Sequence, residues 1–313
     1  MSTSAALPRT ARPISRPRPG RARAGELSGW GFVAPFLVFY ALFLILPLVL
    51  AVIMSLFNTS LVLPGLGKFV GLSNYGELFS DSYFWQAMWH TVLFTVVSTP
   101  FLIVLPLIFA IAVHRLHHGQ WFFRLAFFLP YILPSAVIAL IWTWMYEPGY
   151  GLVDGILHFF GLGAPGWLSS TTLTLYSIVI VTVWWTIGFN FVLFTAGLQD
   201  IPRNLYEAAE LDGASWWAQI RRITVPMLGR TITLVAVLQV IASLKIFDQV
   251  YLITQGGGGP NFSARVALEY IYDYGFTSGR VGYASAASMV LFVVILVISF
   301  VWLALVRKQE KGV

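Results

Sequence analysis

Phe32 to Phe57 is a run of 26 residues without one charged side chain, and similar runs recur at Thr91–Val113, Leu125–Tyr146, Leu173–Leu198, Thr231–Leu252 and Val281–Val306. Only the fifth of the six carries charges, Lys245 and Asp248. At 1.5 Å rise per residue, about 20 apolar residues cross a hydrocarbon core of roughly 30 Å. Each run is therefore long enough to span a bilayer. Lipid offers no partner for open backbone amides and carbonyls, so the spans must be helical. The expected fold is an all-α integral membrane protein with six transmembrane helices. Composition agrees: 58% of residues are hydrophobic and 10% charged, against roughly 25% charged in soluble domains. Pro130 and Pro134 predict a kink in the third span.

The net charge of +6 reads as a topology signal. Arginines 9, 12, 16, 18, 21 and 23, Arg115, Arg124, Arg203, Arg221, Arg222, Arg230, Arg307, Lys308 and Lys311 fall on one side of the six-span pattern. The other side has only Lys68, Arg265 and Arg280. Short basic loops stay in the cytoplasm, so both termini are expected there, in a multi-pass protein of the cell (inner or plasma) membrane. Residues 1–25 mix those six arginines with Pro, Ser and Ala and are expected to be a disordered cytoplasmic tail. The first apolar run is too long for a signal peptide core of roughly 7–15 residues, which leaves 26–313 as the membrane domain.

Several chemistries are disfavoured. The chain has no cysteine, so disulfides, thiol nucleophiles and Cys-ligated metal do not arise. His114, His117 and His118 cluster beside Arg115 without a nearby carboxylate, and no metal site is assigned. No triad or carboxylate pair has catalytic spacing. The cations are scattered between apolar runs, which does not suit nucleic acid. The run Gly256–Gly259 follows an apolar span and ends in Pro260-Asn261, lacking the Lys-Ser/Thr of a phosphate loop. The chain is thus expected to be non-catalytic, with no cofactor of its own.

The longest basic-side connection, 199–230, reads as structured. Pro202 is placed to open a helix, Leu205, Tyr206, Ala208, Ala209 and Leu211 to continue it, and Gly213 to stop it. Carboxylates at Glu207, Glu210 and Asp212 point to a protein socket rather than an anionic lipid surface. Within this loop stand Glu207-Ala208-Ala209, Gly213 and Ile223-Thr224-Val225-Pro226. In these residues the chain resembles the membrane subunits of binding-protein-dependent ATP-binding-cassette importers, with Val225 replacing the usual Leu. The stretch from Lys245 to Gln255, followed by Gly256–Gly259, Pro260 and Asn261, resembles the maltose-type carbohydrate importers. Tyr270-Ile271-Tyr272 with Phe276, and Phe69 to Tyr75, extend the match. Four consecutive glycines exceed the family pattern.

The resemblance implies a type I importer permease. A second homologous permease would complete the pathway, two ATPase subunits would bind ATP and Mg, and an extracytoplasmic solute-binding protein would deliver sugar. Glu207, Ala208, Ala209, Gly213 and Pro226 would then form the ATPase-coupling site, with helix Leu205–Asp212 as the lever. Polar groups in the fourth and fifth spans, namely Asn190, Gln239, Ser243, Lys245 and Asp248, are candidates for the substrate path. Polar residues there also glue helices together. Lys245 and Asp248, three residues apart, are expected on one helix turn, where they can pair. Of Trp184 and Trp185, at most one can line a given path. An ion-gradient-driven secondary transporter of a small polar solute is the alternative, with Lys245 and Asp248 as its titratable groups.

Overall fold

The computed structural model describes residues 32–116 and 118–310. The basic tail, His117 and Lys311 lie outside them. The described residues form helices α1 (Phe32–Ser55), α2 (Ser73–Ser80), α3 (Ser82–His114), α4 (Gln120–Ile132), α5 (Ser135–Met145), α6 (Leu152–Phe159), α7 (Thr174–Gln199), α8 (Arg203–Leu211), α9 (Trp216–Met227), α10 (Gly229–Leu244), α11 (Asp248–Ile253), α12 (Ala267–Tyr272) and α13 (Val281–Glu310). Residues to Leu50 form one unit and Ala51 onward a second. In the first, every side chain from Phe32 to Pro47 is exposed, as suits a helix solvated by hydrocarbon.

Helices α1, α3, α7 and α13 are each long and apolar enough to cross a membrane alone. The other two expected spans are bent pairs, and counting each pair once gives six. Between α4 and α5 the chain turns by 97°, far more than a kink. Pro134 bars the helical conformation at the residue before it, and Leu133 is extended at φ −69°, ψ 139°. The fifth span is also less regular than expected. It bends by 64° between α9 and α10 and breaks again at 245–247 before α11.

Two π-turns have a common cause. Leu46 donates to Ala41 and Val225 to Ile220, each skipping five residues, and each stands just before a proline. A proline ring crowds the carbonyl four residues back and supplies no amide, so the preceding turn widens by one residue. Helix α3 instead continues unbroken through Pro100 and Pro106. Pro106 leaves the Leu102 carbonyl without its helical donor, and the Asn190 Nδ2 amide of α7 donates to that oxygen at 2.7 Å.

Helices α3 and α7 form the centre. One apolar cluster joins Phe94, Ile138, Trp142, Ile178, Val181 and Val250. A second, toward the basic end, joins Ala110, Phe191, Phe194, Leu198 and Leu228. Helix α4 crosses α7 at Gly188, where a Cβ would stand 2.0 Å from the Phe127 carbonyl oxygen, so only glycine permits that approach.

Candidate functional site

The connection between α7 and α9 folds as a small capped helix. Pro202 sits just outside α8 in extended conformation, so the helix begins at Arg203 and ends at Leu211, slightly earlier at both ends than Leu205–Asp212. Gly213 has φ +72°. Its amide donates to Glu210 O at 3.0 Å, and that of Ala214 to Ala209 O at 2.8 Å. This is the paired closure of a left-handed helix end. No atom lies within 4 Å of where a Cβ would be, so backbone conformation alone selects glycine there.

The helix has two faces. Arg203, Tyr206 and Glu210, at i, i+3 and i+7, turn toward a cavity behind it, and Tyr206 Oη shares a 2.9 Å hydrogen bond with Thr224 Oγ1. On the other side Glu207 and Ala208 are exposed, Leu211 is 91% exposed, and Ala209 is half-buried. Among the described residues Glu207 holds no ion pair. Pro226 lies at the end of the π-turn that carries Thr224, so the proline shapes the segment against which α8 rests.

The candidate path residues meet around a cavity of about 320 Å³ lined by Thr182, Thr186, Gln239, Ser243, Lys245 and Asp248 among others. Gln239 Nε2 donates to Asn190 Oδ1 at 2.9 Å, and Ser243 Oγ lies 3.2 Å from Ser98 Oγ. Both side chains thus face the cavity wall and tie α10 to its neighbours. Asn190 is wholly buried, with its amide spent on Leu102 and Gln239, and it touches the cavity only through Gln239. Lys245 and Asp248 do not share a helix turn. Lys245 caps α10, Phe247 has φ −146°, and Asp248 starts α11. The two charges flank a break and form no ion pair. Neither indole of Trp184 and Trp185 lines this cavity. Trp184 instead packs edge-on against Trp142 at 5.5 Å, and Trp185 packs near Tyr131.

At the opposite end from α8, the structure brings Tyr270, Arg265 and Arg280 together with acids the sequence did not single out. Asp81 caps α3 through the Tyr83 amide at 2.8 Å and accepts from the hydroxyls of Tyr270, Tyr283 and Tyr274. Burial pushes its carboxyl up, but the Tyr270 hydroxyl, the Tyr83 amide and the other two hydroxyls outweigh that and leave it below its ordinary value. Arg280 grips Glu77 with two bonds of 2.7 and 2.6 Å, which lowers the Glu77 pKa. Arg265 pairs with Asp273 and lies over the Phe262 ring at 4.7 Å.

Glu269 is wholly buried beside this pair. Its Oε1 accepts the Gly258 amide at 3.0 Å, while Oε2 has no partner. Burial, with Asp273 adding and Arg265 opposing, pushes its carboxyl up to about 7. The signal was present in the sequence, since Glu269 is the only acid in 264–272. Among the described residues no cluster suits a metal ion.

Residues 79–311 match the family described as binding-protein-dependent transport system inner membrane component. The sulfoquinovosyl glycerol transport system permease protein of Agrobacterium fabrum is 32% identical over 278 residues, covering 89% of this chain and 90% of that one. The trehalose/maltose transport system permease protein of Thermococcus litoralis is 34% identical, covering 89% and 93%. In a crystal structure of a bacterial alginate ABC transporter with its pentasaccharide-bound periplasmic protein, one chain superposes with TM-score 0.83. It is 22% identical and covers 94% of this chain and 99% of that one, a likeness of fold.

Proposed function

The chain belongs to the family of binding-protein-dependent transport system inner membrane components, and from that premise we propose that it conducts a carbohydrate or carbohydrate derivative into the cell. It is a multi-pass, non-catalytic permease subunit of an ATP-binding-cassette importer, which sets aside the ion-gradient alternative. The names of its relatives, a sulfoquinovosyl glycerol permease and a trehalose/maltose permease among them, support a sugar-like cargo.

The coupling reading rests on one observation, the two-faced α8. Its inner face is tied to α9 through Tyr206 and Thr224. The outer face, with Glu207 and Leu211, is covered by nothing among the described residues. An ATPase groove that receives this face moves α9 with it, and α9 continues through the 64° bend into α10, which carries Gln239 and Ser243 along the cavity. Work done by ATP and Mg on the partner subunits thus arrives as displacement of a cavity wall. A second permease completes the path, and an extracytoplasmic binding protein loads it. Gln239, Ser243, Lys245 and Asp248 offer donors and acceptors of both signs to hydroxyl-rich cargo, with Asn190 fixing Gln239. Both termini lie in the cytoplasm under this topology, which follows the distribution of basic residues.

Uptake of labelled sugar by vesicles holding the reconstituted complex tests the whole reading. Uptake is expected with internal ATP and the binding protein, and not with an ion gradient alone. Gradient-driven uptake without ATP overturns it.

A further inference from the structure

Behind α8 lies a cavity of about 560 Å³, lined by His114, Arg115, Gln120, Arg203, Tyr206, Glu210, Gln219 and Thr224 with the apolar Ile111, Leu116, Leu198 and Ile220. That volume falls within the roughly 300–1,000 Å³ of small-molecule sites. Its polar groups are held in place. Arg115 Nη2 donates to Gln219 Oε1 at 3.1 Å, and its guanidinium lies over the Trp216 ring at 5.2 Å. Gln120 Nε2 bridges the carbonyls of His114 and Leu116. Among the described residues the remaining donors of the Arg115 fork meet no acceptor, which leaves them to a ligand.

The charge on the wall is mostly of one sign. Arg115 and Arg203 line it, and with Arg124 nearby they act electrostatically on His114. Glu210 is the one acid among the lining residues. Two helices, α4 at Gln120 and α8 at Arg203, start at this wall, and neither has a side-chain cap. Helix N-termini and arginine forks both favour phosphate oxygens. The apolar patch of Ile111, Leu116, Leu198 and Ile220 suits the small organic part of an ester.

We propose that this cavity binds a phosphate ester on the cytoplasmic side, seating the inner face of α8. Either a soluble polyol phosphate or the headgroup of an anionic lipid presents that chemistry. The compartment rests on the topology proposed above, whereas the binding does not. With Tyr206 and Glu210 on its wall, an occupied cavity braces α8 from behind, opposite Glu207 and Leu211.

The test uses the complete transport complex in phosphatidylcholine nanodiscs, titrated calorimetrically with glycerol 3-phosphate, and a parallel preparation in which phosphatidylglycerol competes for the site. Saturable binding of glycerol 3-phosphate supports the soluble source. Copurified phosphatidylglycerol that is lost in Arg115→Gln/Arg203→Gln supports the lipid source. In either case the double substitution is expected to weaken binding at least about tenfold, and Arg221→Gln/Arg222→Gln, which removes the same charge away from the wall, to leave it unchanged. If the double variant does not assemble, Arg203→Gln alone, at an exposed position, serves instead. Binding of neither probe, or equal weakening by the two pairs, overturns the site. Binding that is intact but meets an outward-facing reporter at the α3–α4 loop overturns the topology instead.

Discussion

The two ends of the molecule are built on opposite plans. At the end opposite α8 Asp81 collects three tyrosine hydroxyls and an amide, both ion pairs of the described residues lie there, and Glu269 pins the glycine run. At the other end α8 has no buried residue and is held by its caps and one hydroxyl pair. The first end satisfies most of its polar groups within the chain, Glu269 Oε2 being an exception, while the second presents them. An element finished by its own chain keeps its shape when partners come and go. One left unfinished takes its position from whatever docks on it, which is what transmission of force requires.

The contrast breaks most sharply with Glu207→Ala combined with Gly213→Pro. Proline cannot adopt φ +72° and removes the amide that closes α8 on Glu210, a local cost of about 3 kcal/mol. ATP-driven uptake is expected to fall by more than about tenfold while membrane abundance stays near normal. Parental uptake with ATPase subunits still copurifying refutes the coupling role.

At the end opposite α8 the expected response is to pH. The Glu269 carboxyl is raised from 4.5 to about 7, so the folded cap binds a proton that the unfolded chain releases. Its contribution is full below pH 4.5, declines as pH rises to about 7 and then levels off, an upper limit of about 3 kcal/mol. Protection factors at the amides of Gly256–Gly259, corrected for the intrinsic base-catalysed exchange rate, should fall across that window, and Glu269→Gln should abolish that fall. An unchanged profile in the variant refutes the assignment.

Asp81→Ala removes a helix cap and the shared acceptor of three hydroxyls. A loss of about 2 kcal/mol is expected, read as a lower melting temperature of the purified complex. The smallest effect sharpens the comparison inside the membrane. Gln239→Ala costs about 1 kcal/mol for its bond to Asn190. A path role predicts altered ranking among several sugars with normal complex yield, whereas poorer assembly with the same ranking makes Gln239 glue alone.

The helical class, the apolar runs and helix α8 were legible because each follows from local composition: apolar length for spans, Pro202 and Gly213 for ends. The 97° turn at Pro134 was legible only as a kink, since a proline fixes where a helix yields and not how far. For Asn190 the sequence left path lining and helix glue both open, because its partner, the Leu102 carbonyl released by Pro106, lies 88 residues away. Asp81 and Glu269 were missed for a similar reason, their meaning coming from tyrosines and a glycine amide that only tertiary folding brings near.

The interruption at 245–247 bears on how such a chain is made. Ending α10 and restarting at α11 strips helical partners from several backbone groups, next to two ionisable side chains, in a segment that must enter hydrocarbon. Presented alone to the insertion machinery, that segment is a poor substrate. Helices α3 and α7, which supply Leu102, Thr182 and Thr186 to the wall around it, both precede it in the chain. The order of synthesis therefore delivers the shelter before the segment that needs it, so a circular permutant starting at α9 should insert its first span poorly even though its finished structure would be the same.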